Sequence, residues 1–381
     1  MKNEITQIIN GRRVLLILIF LPLIYTLCFM TMFAKNLLTE VPIIVVNLDD
    51  GTRGQKILRD LLDTPEVKII SVEDTAADID KKILELDAIG AAVIPKDFSQ
   101  KISRGESVSI ELITDNTNTL LSSVVSRAVQ SVVSANSTEI LIDTRISAGW
   151  SIQQAESSFF NSSTRVFYNP TSGYTDFFMT MIIPHAVQIA IVFSIAPAIA
   201  EERISRRRDF LEKPFKVLGT KLLVYTLFST SVVAICLSIG IKFFGMVCRG
   251  DFFAIVAILT AFIFAMTAVA ICAGAWNEVP YKATLCAVVY IMPSILFTGA
   301  LWPRYSMDSF SLFLSYIMPI GYASNDLRDL FLKGTAINLE GHLAILICFG
   351  MIFFTASLIG VKFTGGCEDV GDNPPRNTLS D

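Results

Sequence analysis

Residues 252–277 read FFAIVAILTAFIFAMTAVAICAGAWN, a run of 26 residues without Asp, Glu, Lys, Arg or His. A helix rises about 1.5 Å per residue and the hydrocarbon core of a bilayer is about 30 Å thick, so about 20 such residues span it. Five further stretches carry no charged residue or only a single His: 14–34, 177–200, 222–241, 283–303 and 343–361. The sequence therefore predicts a membrane protein with six spanning helices.

The composition agrees with this class and excludes others. Hydrophobic residues make up 52% of the chain and charged residues only 17%, which is typical of membrane proteins. A net charge of −4 gives no reason to expect a nucleic-acid partner. Of the seven cysteines, most lie inside predicted spans, where a free thiol acts as a small apolar group. Their spacing predicts no metal site and no disulfide framework.

The spans are unevenly distributed, with one before and five after a long polar insertion at 35–176. Within the insertion, short apolar runs at 41–47, 67–72, 89–94 and 108–114 alternate with helical patterns. That alternation predicts a small, mostly parallel sheet covered by helices. The predicted fold is an all-α membrane bundle of six transmembrane helices in a 1+5 arrangement, 14–34 and 177–363, with an inserted α/β extracytoplasmic domain.

Lys and Arg in the short connections predict the orientation. The connections on the side of 1–13, 201–221, 278–282 and 362–381 carry 13 basic residues, against 5 on the other side. The richer side is cytoplasmic by the positive-inside rule, so both termini are expected inside and 35–176 outside. We also expect an interfacial amphipathic helix at 1–13, an outer re-entrant segment at 304–342 broken near Pro319, and a disordered cytoplasmic tail at 364–381.

The densest polar cluster follows the second span, in the segment 201–221. Three basic residues would be enough to anchor the span on the cytoplasmic side, but adjacent carboxylates do not serve that purpose. Mixed charge followed by apolar side chains favours docking on a cytoplasmic partner, because complementary charges give specificity. The predicted coupling residues are Glu201, Glu202, Arg203, Arg206, Asp209, Phe210 and Leu211.

A second set of candidates lies inside the spans. His185, beside Pro184, is a titratable group at membrane depth, which points to function by default; alternatively, it reaches the outer interface. Pro293 in the fifth span can kink its helix. We assign His185, Pro184, Pro293 and Gly299 to the translocation pathway.

No motif for catalysis by this chain is present. The sequence lacks the G-x-x-x-x-G-K-[ST] phosphate loop, and it lacks G-x-S-x-G and H-E-x-x-H. Catalytic and metal-binding residues are therefore not predicted, and no cofactor is expected in this chain.

Several short motifs make the chain similar to a known family. They are Glu201, Glu202 and Arg203 at the end of the second span; 211–221 (LEKPFKVLGTK); 45–51 (VVNLDDG), 89–98 (IGAAVIPKDF) and 113–118 (ITDNTN) in the insertion; and 297–303 (FTGALWP) with Met307, Pro319, Arg328, Lys333 and Gly334. In this order, over about 1–363, they resemble the permease subunit of a type 2 ABC exporter, in the subgroup with a large outer domain after the first span.

The resemblance implies a mechanism. Separate ATPase subunits would bind ATP and Mg²⁺ and contact the 1–13 helix and the coupling segment. A second permease, identical or similar, would complete a dimer in a bacterial cytoplasmic membrane. The outer domains would gate the exit or contact a periplasmic adaptor. The apolar spans favour an amphipathic, lipid-like or drug-like substrate.

Two other functions remain open from the sequence. A receptor or signalling protein would explain the outer α/β domain but not five further spans. A secondary transporter would be expected to show internal repeats and paired charges at the midplane, and here His185 is the one candidate.

Overall fold

The structure divides into two compact units. The computed structural model describes residues 11–151, 167–169 and 173–366. Leu37–Val166 forms one unit, and the rest of the chain forms the other. Most of the predicted helix at 1–13 and of the predicted tail at 364–381 lies outside the described residues.

The described elements follow one another as helices and short strands. In chain order they are α1 (Arg12–Met32), β1 (Val41–Asn47), α2 (Thr52–Leu62), β2 (Val67–Glu73), α3 (Ile79–Glu85), β3 (Gly90–Ile94), α4 (Phe98–Ser103), β4 (Glu111–Thr114), α5 (Thr119–Ser147), α6 (Tyr174–Ser205), α7 (Arg207–Glu212), α8 (Pro214–Phe244), α9 (Phe252–Trp276), α10 (Pro280–Ile291), 3-10 helices at Met292–Thr298 and Arg304–Ser306, α11 (Ser309–Ile317), α12 (Pro319–Lys333) and α13 (Leu339–Gly366).

The Leu37–Val166 unit is built on a four-stranded sheet with the order β2-β1-β3-β4. Strand β1 pairs in parallel with β2 and with β3, whereas β4 runs antiparallel to β3. The predicted, mostly parallel sheet is therefore confirmed. The last strand is shorter than expected, because 108–110 do not join the ladder.

Both faces of this sheet are covered by helices. Ile43 and Val45 of β1 pack on one side with α2 and α5, and Ile44 and Val46 pack on the other with α3. Alternate residues of a strand point to opposite faces, so an unbroken apolar strand such as β1 needs a cover on each side. The VPIIVVN pattern thus explains the layered arrangement.

In the other unit, six helices are long and apolar enough to cross a membrane. They are Arg12–Met32, Tyr174–Ser205, Pro214–Phe244, Phe252–Trp276, Pro280–Thr298 and Leu339–Phe363. Each contains or overlaps one of the predicted spans. Helices α6 and α9 are mostly buried among the others, while α1, α10 and α13 are mostly exposed.

The fifth span changes its helical type before its end. Regular helix stops at Ile291, and Met292–Thr298 continues as a 3-10 helix. Pro293 explains the change, because it lacks the N–H that an α-helix requires. The chain then leaves the helix at Gly299, whose φ of +83° favours glycine. The predicted span 283–303 is therefore too long at its end, since 299–303 are not helical.

The predicted re-entrant segment contains two helices. Asp308 caps α11 by accepting a hydrogen bond from the backbone N–H of Phe310 at 3.2 Å. Met318 separates α11 from α12, which has Pro319 as its first residue, where a missing N–H is tolerated. The predicted break near Pro319 is confirmed. Both helices pack near the end of α10 and its 3-10 extension.

Candidate coupling site

The predicted coupling residues lie on a bent connection between α6 and α8. Helix α6 ends at Ser205, and the short helix α7 follows before Pro214 begins α8. Arg206, with φ −124° and ψ 37°, and Lys213, with φ −138° and ψ 53°, are the two non-helical joints. The bend folds α7 back so that its apolar residue Phe210 turns into the bundle, where it is fully buried.

Glu202 joins α6 to α8 through a buried lysine. The Nζ of Lys221 lies 2.6 Å from Oε2 of Glu202, and the Lys221 side chain has 0% exposure. Arg206 approaches the same oxygen at 3.7 Å. A charged lysine is costly to bury without a carboxylate, so this pair fixes the relative position of the two helices.

Arg203 joins α6 to α9. Its Nη1 donates a hydrogen bond to the carbonyl oxygen of Ala275 at 2.9 Å, and its Nη2 lies 4.0 Å from Oε1 of Glu278. The Ala275 carbonyl belongs to the last turn of α9, where the helix dipole favours a cation. A Cβ at Gly274 would come within 2.6 Å of the Ala196 carbonyl, so α6 and α9 approach closely at this level.

The remaining predicted coupling residues face outward. Glu201, Asp209 and Leu211 are exposed, with Asp209 bound by Arg206 at 2.8 Å. Beside them, the exposed Arg208 and Glu212 pair at 2.7 Å. The seven predicted residues thus fall into a buried set that holds helices together and an exposed set.

Two residues of this site were not predicted. Lys221 lies at the end of the motif 211–221 and directly before the charge-free run 222–241, so its position at the start of a span is the signal for a buried charge. Phe215 is the first aromatic residue of α8, and it remains 69% exposed while its ring contacts that of Phe354. A large exposed aromatic ring next to a charged turn is typical of a protein contact surface.

The predicted pathway residues occupy a different place. His185 is buried in α6, and its Nδ1 accepts a hydrogen bond from Nε2 of Gln188 at 2.7 Å. The same Gln188 nitrogen donates to Oγ of Ser294 at 2.9 Å. Pro293 is therefore next to this network, which ties α6 to the 3-10 helix. Gly299 is not part of the network and instead lies beside Arg304.

The described residues offer no metal centre, because no three His, Cys, Asp or Glu side chains among them cluster suitably. His185 is bound within its own helix, and Gln188 makes the link from α6 to the 3-10 helix.

Comparison with protein families identifies the family of this chain. The model of the ABC-2 family transporter protein matches residues 12–359, which is most of the chain. The chain belongs to the ABC-2 family. Members of the family form the membrane permease subunits of ABC exporters, and ATP hydrolysis takes place on separate ATPase subunits. This ABC-2 permease is thus neither a receptor nor a secondary transporter.

Individual relatives are distant. The probable multidrug ABC transporter permease YbhS of Escherichia coli is 22% identical over 288 residues, covering 71% of this chain and 69% of YbhS. The related permease YbhR is 20% identical over 345 residues, with 89% and 90% covered. ABC transporter G family member 20 of Dictyostelium discoideum is 22% identical over 372 residues, covering 93% of this ABC-2 permease but 48% of that protein.

Proposed function

We propose that this ABC-2 permease receives its ATPase subunit on the exposed part of the coupling segment. The contact surface consists of Glu201, Asp209, Leu211 and Phe215. The observation that carries the proposal is the division of the segment, in which these side chains face outward while Phe210 is fully buried. A short helix anchored on one face and exposed on the other is suited to transmit force.

The buried contacts give the path of that force. A displacement of α7 pulls on α6 through the joint at Arg206. From α6 it reaches α8 through the Glu202–Lys221 pair at 2.6 Å and α9 through the Arg203 hydrogen bond at 2.9 Å. Three helices therefore move together when the ATPase closes, and the spans shift as a body.

The remaining parts of the assembly follow from the same orientation. The excess of Lys and Arg on the side of the coupling segment favours a cytoplasmic location, with both termini inside a bacterial cytoplasmic membrane. The Leu37–Val166 unit is then extracytoplasmic and inserted in a 1+5 arrangement. A second permease, identical or similar, completes the dimer, and the outer unit contacts a periplasmic adaptor.

The substrate is proposed to be amphipathic, either lipid-like or drug-like. The spans carry few charges, and relatives are named as multidrug permeases. In α6 and in the 3-10 helix that follows α10, the buried polar groups His185, Gln188 and Ser294 bind one another. Such an apolar surface is not suited to a highly charged soluble substrate.

Copurification tests the docking surface. The full chain is coexpressed with its ABC ATPase subunit, and Glu201 and Asp209 are both changed to Arg. Because both carboxylates are exposed, the variant is expected to fold normally and to lose most of the ATPase. Lys282→Glu, an exposed charge reversal in the first turn of α10, is the matched control and is expected to retain it.

Either of two outcomes would contradict this assignment. Undiminished copurification of the double variant would show that the ATPase binds elsewhere. An equal loss with Lys282→Glu would show that the loss is not specific to the coupling segment.

A further inference from the structure

The other end of α6 and α10 contains a cation that the coupling mechanism does not use. Arg304 follows the Gly299 turn and Pro303, and its guanidinium lies between two aromatic rings. The guanidinium carbon is 5.5 Å from the centre of the Tyr316 ring and 5.3 Å from that of Tyr322. Its Nε donates a hydrogen bond to Oγ of Ser315 at 2.8 Å. The side chain is therefore held in one position by α11 and α12.

The backbone is shaped around this side chain. A Cβ at Gly321 would come within 2.7 Å of Nη2 of Arg304, and one at Gly299 would come within 3.1 Å of its Cγ. Ser315 is fully buried and itself donates to the carbonyl oxygen of Phe297 at 2.7 Å. The two glycines and the Ser315 oxygen therefore form a preorganised binding position for the Arg304 guanidinium.

Within the described residues, the charge of Arg304 is not neutralised by protein. Its Nη2 is buried and has no hydrogen-bond acceptor there, and it forms no ion pair. Aromatic faces offset part of the desolvation cost of a cation, but they do not accept several N–H bonds in the plane of the guanidinium. A buried donor of this kind requires an explanation.

A second arginine lies on α12, where it has one hydrogen-bond acceptor of its own and the charge of the neighbouring Asp329 acts on it. Nη2 of Arg328 donates to Oδ1 of Asn325 at 2.8 Å, and its guanidinium lies 5.2 Å from the centre of the Phe177 ring. Asn325 in turn donates to the carbonyl oxygens of Thr298 and Gly321. Gly321, Asn325 and Arg328 are spaced by four and three residues and so lie on one side of α12. Arg304 contacts Gly321 on this same side.

The carboxylates of the segment are already engaged. Asp308 caps α11, Asp326 binds Nδ1 of His342 at 2.8 Å and Asp329 pairs with Lys333 at 2.9 Å. They are the three acidic residues of 299–333. None of these carboxylates pairs with Arg304, so its positive charge is available to an anion from outside the described residues.

The surroundings indicate where the anion comes from. Trp302, Tyr305, Phe310 and Phe313 are each more than half exposed, on either side of Arg304 in the sequence. Exposed Trp and Tyr next to the end of a span are typical of the headgroup region of a bilayer. Arginine is well suited to phosphate because its planar N–H groups match two phosphate oxygens.

We propose that Arg304, supported by Arg328, binds the phosphate group of an anionic lipid in the leaflet adjacent to α11. The lipid tail lies along the exposed aromatic side chains. This site is separate from the ATPase contact, and it holds a lipid that stays bound to the protein.

Native mass spectrometry of the full chain in detergent tests the proposal, with phosphatidylglycerol as the probe. The wild type is expected to retain the lipid, and Arg304→Gln is expected to weaken binding about tenfold, since hydrogen bonds to charged groups have about this effect. Lys242→Gln, an exposed cation near the end of α8, is the matched control and is expected to bind like the wild type. The wild type is expected to bind phosphatidylcholine more weakly than phosphatidylglycerol. Arg304→Gln is expected to lose this preference.

Two further variants protect the test against misfolding. Gly321→Ala keeps both arginines but displaces Nη2, and Arg304→Lys keeps the charge but not the planar fork. Both are expected to reduce phosphatidylglycerol binding, by less than Arg304→Gln. If Arg304→Gln fails to fold, these two variants decide the question.

Three results would overturn the proposal. The first is unchanged lipid binding in folded variants of Arg304 and Gly321. The second is equal binding of phosphatidylcholine and phosphatidylglycerol, which would indicate only an apolar annulus. The third is complete displacement of the lipid by inorganic phosphate, which would make this a site for a soluble anion.

Discussion

The two ends of α6 and α10 treat their charges in opposite ways. At the Glu202 end, defined by Glu202, Arg203 and Lys221, cations are bound by a carboxylate or by a helix carbonyl. At the Arg304 end, defined by Arg304 and Arg328, cations lie against aromatic rings and no carboxylate of the described residues pairs with them. A cation that is bound by a group of another helix fixes the two helices to each other. A cation without a carboxylate partner is available to an anion from outside. The difference matches a mechanical task at one end and a binding task at the other.

The strongest way to break the comparison is to remove the carboxylate that lies 2.6 Å from the buried lysine. Glu202→Gln removes the carboxylate from Lys221, whose side chain has 0% exposure. Loss of one partner of a buried pair is expected to lower the free energy of unfolding by about 3–5 kcal/mol. The measurement is denaturant unfolding of the full chain in detergent micelles.

The controls for this variant lie close by. Glu201→Gln, the exposed neighbour, is expected to change stability little. Glu202→Gln combined with Lys221→Met removes both charges and is expected to recover much of the loss. If the single and double variants are equally unstable, the ion pair is not what fixes α6 to α8.

Helix contact at the Glu202 end gives the second prediction. Gly274→Ala places a Cβ 2.6 Å from the Ala196 carbonyl of α6. Because a backbone group cannot move aside cheaply, a loss of about 1–3 kcal/mol is expected in the free energy of unfolding. The accompanying measurement is ATPase stimulation by the permease, which is expected to fall as the Arg203 joint shifts.

Gly219→Ala in α8 is the matched control. The nearest atom to its Cβ would be Cζ of Phe354 at 3.7 Å, which is ordinary contact. Alanine also favours helix by up to about 1 kcal/mol over glycine. Gly219→Ala should therefore be neutral or stabilising, and equal destabilisation by both variants would refute the close-contact explanation.

The sequence predicted the elements of both ends but not their pairings. Charge-free runs locate the six spans because hydrocarbon excludes charge over a fixed thickness. The unbroken apolar run of β1 predicted a covered sheet. In contrast, Glu202 and Lys221 lie 19 residues apart on different helices, and only packing brings them within 2.6 Å. Their types suggest charge, but not which partner each one takes.

The same limit applies to the predicted sites. The neighbours of Phe210 in sequence predict a place on the coupling surface, but the bend at Arg206 turns its side chain into the core. The sequence places Arg304 only within the re-entrant segment, because the rings of Tyr316 and Tyr322 reach it through the tertiary fold. The bend at Arg206 and the aromatic rings around Arg304 are features of the tertiary structure, and no local sequence pattern predicts them.

The Arg304 end provides the third prediction. Ser315→Ala removes the oxygen that accepts from Nε of Arg304 at 2.8 Å. A buried donor left without its acceptor is expected to cost about 1–2 kcal/mol of unfolding free energy. Phosphatidylglycerol is expected to restore part of this loss, because a bound phosphate supplies new acceptors. The measurement is the unfolding temperature with and without the lipid.

Ser309→Ala, at the exposed start of α11, is the control for this variant. It is expected to leave both the stability and the lipid effect unchanged. If lipid stabilises the wild type and Ser315→Ala equally, the Arg304 binding position is not involved in lipid binding. The contrast between the two ends would then be one of packing alone.

A partly exposed ion pair in the Leu37–Val166 unit, in which neither side chain is fully buried, gives the smallest expected effect and a reference for both ends. Glu73 accepts hydrogen bonds from Lys82 and, at 2.7 Å, from Ser71. The Lys82 bond first, and the Ser71 bond second, lower the pKa of Glu73 below its ordinary value of 4.5. A depressed carboxyl pKa stabilises the fold above the unfolded value, and this stabilisation is lost as pH falls through the folded value.

Glu73→Gln is therefore expected to flatten the decline of the unfolding temperature below about pH 4.5, without much change at pH 7, because ion pairs that solvent reaches contribute little. Thermal melts between pH 3 and 7 measure this slope. Glu85→Gln, an exposed carboxylate in α3, is the control and should leave the slope as it is in the wild type. A Glu73 effect as large as that of Glu202→Gln would mean that burial does not distinguish these pairs, and the rigid role of the Glu202 end would lose its physical basis.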